Sequence, residues 1–73
     1  MKIFDAYKTA ENISRIMDDN GVNGVRLAET LGVSSPAVYS WRSGRKTPSI
    51  DNIVLFCEIF GVDIKDVIGL EEV

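Results

Sequence analysis

The sequence predicts an all-α fold: five short helices around one small core, forming a single domain over residues 1–73. Three observations carry this reading. Apolar residues recur at three- and four-residue steps in five separate segments. Each segment follows a Ser, Thr, Asn or Asp of the kind that caps a helix start, and each runs into a Gly of the kind that stops one. The chain has 73 residues, 45% of them hydrophobic, which suits one small core and argues against disorder.

Helix 1 is expected over residues 5–20. Its apolar set is Tyr7, Ala10, Ile13, Ile16 and Met17, with Asp5 or Thr9 as the cap and Gly21 as the stop. Asp18 and Asp19 in its last turn oppose the helix dipole. Helix 2 is expected at residues 24–31, capped by Asn23, with Leu27, Ala28 and Leu31 inward. Gly32 ends it in the left-handed conformation and Val33 pins a tight turn. Helix 3 follows at residues 35–43, capped by Ser34, with Pro36 in its first turn and Ala37, Val38 and Trp41 inward.

Gly44 closes helix 3, and Arg45-Lys46-Thr47-Pro48 is a basic loop, because Pro48 bars helix until after it. Ser49 caps helix 4, with Asn52 as a weaker capping-box partner. Ile50, Ile53, Phe56, Cys57 and Phe60 form its core stripe, and Gly61 stops it. Asp63 caps helix 5, which turns Ile64, Val67 and Ile68 inward and ends at Gly69. Leu70-Glu71-Glu72-Val73 are expected to fray unless a partner holds them.

The segment Val22 to Trp41 organises the rest. Two short helices joined by a three- or four-residue turn containing Gly form a helix-turn-helix. The run Leu27-Ala28-x-x-Leu31-Gly32-Val33-Ser34, then Val38-x-x-Trp41, then Ser43-Gly44-Arg45-Lys46-x-Pro48-Ser49, resembles the phage repressor and Cro family, also called the XRE family. The resemblance covers about residues 12–70. It implies a compact, five-helix, lambda-repressor-like fold with helices 2 and 3 as the motif. It further implies a transcriptional regulator of bacterial or phage type, a repressor, that binds double-stranded DNA. Helix 3 would lie in the major groove of a palindromic operator, bound by a homodimer.

By position, the resemblance makes Ser35, Pro36 and Ser40 the base-reading residues, with Tyr39 beside them. This set is short of Arg, Lys, Asn and Gln, the usual bidentate readers. Pro36 and the Tyr39 ring can pack on a thymine methyl. Family members often carry a Gln at the position of Gly24, which contacts phosphate and braces the reading helix. The phosphate grip falls to Arg42, Arg45, Lys46 and Thr47, and to the helix starts at Asn23 and Ser34. Without the resemblance, the same residues read as a solvent face, surface charges and ordinary caps.

Charge supports the nucleic-acid reading. The net charge is -3, yet residues 22–50 carry net +3, against -1 for residues 1–21 and -5 for residues 51–73. The positive charge thus coincides with the motif and its loop, and the acidic remainder keeps the opposite surface off DNA.

Other chemistry is excluded or unsupported. The chain has no His, which removes Ser-His-Asp and Cys-His catalysis and His-containing metal sites. No enzyme, metal, cofactor or small-molecule site is expected. Trp41 reads as core rather than as a stacking platform for single strands, given its spacing from Ala37 and Val38. The single Cys57 reads as a small core residue in a reducing, cytoplasmic setting. No apolar run reaches the ~20 residues of a membrane span, and Met1-Lys2-Ile3-Phe4-Asp5 shows no signal-peptide pattern.

Two further expectations concern contacts. Leu55 and Ile59, four residues apart and off the core stripe of helix 4, are candidates for a dimer interface. Family members often pair an Arg at the position of Met17 with a Glu at that of Arg42. Here one is apolar and the other basic, so Met17 is expected in the core against Trp41 and Arg42 on the DNA backbone. The alternative function is a repressor-like protein-interaction module that binds another regulator. The weak reading set and the acidic net charge favour it; the basic loop does not.

Overall fold

The computed structural model describes residues 1–73 and contains α1 (Ala6–Asp19), α2 (Gly24–Leu31), α3 (Ser35–Ser43), α4 (Ile50–Phe60) and α5 (Ile64–Val67). A strand, β1 (Lys2–Phe4), precedes the helices, and another, β2 (Leu70–Glu72), follows them. The caps fall where the side-chain chemistry places them. Asp5 accepts from the N–H groups of Tyr7 and Lys8, Asn23 from Arg26, Ser34 from Ala37 and Ser49 from Asn52. At α5 the capping is reciprocal: Asp63 accepts from Lys65 N–H, and the Asp66 carboxylate accepts from Asp63 N–H.

Ile13, Ile16, Met17, Leu27, Ala28, Val38, Trp41, Ile53, Phe56 and Val67 form the core, so every helix contributes to it. Ala28, on α2, is 3% exposed within this core, where a larger side chain would have to displace its neighbours. Gly32, at φ 71°, reverses the chain between them, and Val33 N–H donates to the Ala28 carbonyl across the turn. The Phe56 and Phe60 rings lie 4.6 Å apart and tilted, which extends the core along α4. No helix is long and apolar enough to cross a membrane.

The expected core stripes need correction at their ends. Tyr7, Ile50 and Ile64 are exposed. Each lies in the first turn of its helix. Helix 5 stops at Val67, and Ile68 serves as its extended cap rather than as a helical residue.

The tail does not fray within the chain. β2 pairs antiparallel with β1 in the register Lys2–Glu72, Ile3–Glu71 and Phe4–Leu70. A two-stranded ribbon this short is marginal alone, so its anchor matters. Gly69 is the anchor. Its N–H donates to Thr9 Oγ1 at 2.9 Å, and its carbonyl accepts from Asp5 N–H at 2.9 Å. Thr9 Oγ1 in turn donates to the Asp5 carbonyl, which satisfies a buried hydroxyl. Asn12 and Lys8 add side-chain bonds to the carbonyls of Val67 and Leu70. The first turns of α1 and the segment after α5 are thereby one unit.

Candidate nucleic-acid interface

α3 is held from behind and bare in front. Val38 and Trp41 are buried, while Pro36 and Tyr39 are exposed and Ser35 and Ser40 half-exposed. The four sequence-predicted base-reading residues therefore share the outer side of one helix. The basic loop follows directly. The Ser40 carbonyl accepts from both Arg45 N–H and Lys46 N–H, so the loop backbone is tied to α3. The side chains of Arg45, Lys46 and Thr47 are exposed, and Pro48 beneath them is buried. A fixed backbone with accessible cationic side chains suits phosphate contact, because the loop backbone needs no further ordering on binding.

A contact that the sequence reading missed also steadies this loop. Gly44, at φ 81°, lies against the ring of Tyr7; a Cβ there would sit 2.8 Å from Tyr7 Cδ1. Tyr7 leaves the core to cover the end of α3. The left-handed stop after Ser43 makes glycine legible at position 44, but nothing local points to Tyr7.

The helix starts offer backbone donors. Asn23 and Ser34 spend their side chains on capping Arg26 and Ala37. The N–H group of Val25 remains free at α2, and that of Ser35 at α3, since Pro36 has none. These donors are what a phosphate at either helix start would meet.

Arg42 corrects the sequence expectation. It does not reach outward. Its guanidinium donates to Asp18 Oδ1 at 2.8 Å, linking α3 to the end of α1. Its side chain is only 26% exposed, against 65% for Asp18. Met17, as expected, is fully buried in the same core as Trp41. An ion pair thus links α1 and α3 here, one residue along from Met17 on α1. Asp18, which the sequence shows only as an acid opposing the helix dipole, is the partner that was missed. Its adjacency to Met17 was the available signal.

This pair yields a prediction. Asp18→Asn is expected to change stability by no more than about 1 kcal/mol, as for an exposed ion pair. It should raise DNA affinity and steepen the log–log salt slope by up to about 1, because Arg42 is released. Fluorescence anisotropy across a salt series measures both, and unchanged affinity would leave Arg42 outside the interface altogether.

Cys57 lies half-buried on α4. Burial pushes its thiol above the ordinary range, and the carboxylates of Asp63, Asp66 and Glu58 push it further. It is therefore a neutral thiol at pH 7 and a poor nucleophile.

The Cro/C1-type HTH DNA-binding domain matches residues 12–72. The chain belongs to the Cro/C1-type helix-turn-helix family. It is a DNA-binding domain rather than an enzyme. Two solved structures share the Cro/C1-type fold of this chain. The restriction-modification controller protein C.AhdI from Aeromonas hydrophila is 17% identical, with a TM-score of 0.78 over 86% of this chain and 96% of its own. A transcriptional regulator from Listeria innocua is 29% identical, with a TM-score of 0.79 over 89% of this chain and 62% of its own. No curated protein matches the sequence at a significant level.

Proposed function

We propose that this protein is a dimeric transcriptional repressor that occupies a palindromic operator, with α3 in the major groove. One observation carries the reading: the net-positive segment of an acidic chain coincides with the helix-turn-helix and its exposed loop. In this reading Ser35, Pro36, Tyr39 and Ser40 face base edges. Arg45, Lys46 and Thr47 hold phosphate, and the helix starts at Asn23 and Ser34 add backbone donors. Residues 1–73 act as one domain, in the cytoplasm, and repression is by steric occlusion of the operator. Both structural neighbours are described as regulators or controllers, which accords with this role.

Titration of the protein into random duplex DNA tests it. Affinity at ~50 mM salt that falls steeply as salt rises supports the proposal. A second reading, a module that binds another regulator, draws on the scarcity of bidentate readers on α3 and the commitment of Arg42 to Asp18. Absence of DNA binding at ~50 mM salt selects that reading.

The dimer is assigned to α4. Leu55 is 48% exposed and Ile59 42%, with Val54 exposed beside them. Such a group suits an isologous two-fold contact. Leu55→Asp with Ile59→Asp is expected to leave a folded, monomeric protein by analytical ultracentrifugation. Loss of the helical circular dichroism signal would place both residues in the core instead.

A further inference from the structure

Gly24 is buried at the first position of α2, although glycine is not needed there for backbone reasons. The left-handed glycines are Gly21, Gly32, Gly44 and Gly61; Gly24 is not among them. Its conformation is one that any L-residue adopts, and alanine would be the better helix former. What a side chain there would crowd is a ring. A Cβ on Gly24 would lie 3.0 Å from Tyr39 Cε1, 3.3 Å from Cζ and 3.5 Å from Cδ1. One edge of the Tyr39 ring, including the carbon that bears the hydroxyl, is therefore seated on the bare start of α2. The residue as a whole is 53% exposed, on the outer side of α3.

From this we infer that Gly24 is a specificity-determining position that acts through Tyr39. The missing side chain at Gly24 creates the seat, the seat selects one orientation of the ring, and that orientation decides which ring edge α3 shows to a base pair. An unseated tyrosine would sample several rotamers and lose entropy on binding. A seated one meets the thymine methyl of a matching site in place. Gly24 is a positioning residue here and contacts no base itself. The inference rests on the DNA-binding reading above and deepens it.

The test is a double-mutant cycle read as sequence selectivity: the affinity for a duplex selected from a randomised pool, relative to random duplex. Wild type, Gly24→Ala, Tyr39→Ala and the double variant are compared across a salt series. The Cβ at Gly24 crowds only a half-exposed ring that is free to swing outward, so all four are expected to fold. Circular dichroism verifies this.

Gly24→Ala is expected to lower selectivity on the order of tenfold, with random-duplex affinity and salt slope unchanged. Tyr39→Ala should lower it similarly. In the Tyr39→Ala background, Gly24→Ala should have no further effect. In the wild-type protein, nuclear Overhauser contacts between the Tyr39 ring protons and Gly24 Hα report the seat, and these should vanish in Gly24→Ala.

Additive losses in the cycle would overturn the inference, as would unchanged selectivity in Gly24→Ala. Failure of the wild type to bind any duplex is a separate outcome. It overturns the DNA-binding reading and this inference with it.

Discussion

Gly69→Ala is expected to lower stability by about 3 kcal/mol, near the upper end for overpacking a close contact. For a domain of this size that is a fall in melting temperature of roughly 12–24 °C. A Cβ on Gly69 would run into Lys8 Cβ and lie 2.7 Å from Thr9 N and 2.8 Å from Lys8 C. Two of these three are backbone atoms of a helix and cannot turn aside. The segment after α5 would have to lift from α1. It would then lose the bonds of Gly69 with Thr9 and Asp5 and, with them, the support of the β1–β2 ribbon. Thr9 Oγ1 would also lose its acceptor role in a buried site. Urea denaturation measures the change. A loss under about 1 kcal/mol would show that the tail shifts freely and that the ribbon does not anchor α1.

The second large effect is on DNA binding. Arg45→Ala combined with Lys46→Ala is expected to weaken binding by roughly tenfold per cation, uniformly across DNA sequences. The log–log salt slope should fall by about 2, since each phosphate neutralised contributes close to 0.9. Both backbone N–H groups are bonded to the Ser40 carbonyl and both side chains are exposed, so the substitutions remove charge without freeing the loop. Anisotropy titrations on selected and random duplexes at several salt concentrations give the slope. A change in base preference at constant slope would move these residues from the phosphate backbone to the base edges.

Much of this protein is written in short-range signals. Ser34 with Pro36 and Gly44 bounds α3 to the residue, and Asn23 with Gly32 does the same for α2. Capping and apolar periodicity act over three or four residues, so they can be read along the chain without knowing where it goes. The helix-turn-helix, the outer set of residues on α3 and the exposed basic loop follow from those bounds. The family itself was legible for the same reason.

Contacts between distant residues were settled only by the way the helices cross. Arg42 meets Asp18 across 24 positions because α3 packs on the end of α1. Tyr7 satisfies the helical spacing of the core stripe yet lies exposed over Gly44 at the end of α3. Gly24 looks like the loss of a phosphate-bracing side chain until the Tyr39 ring is found in its place. The β1–β2 ribbon joins opposite ends of the sequence, and three residues a side carry no strand signal strong enough to stand alone. Local propensity therefore determined the helices and the motif, whereas the ion pair, the seated tyrosine and the joined termini depend on packing, which brings together residues that sequence spacing keeps apart.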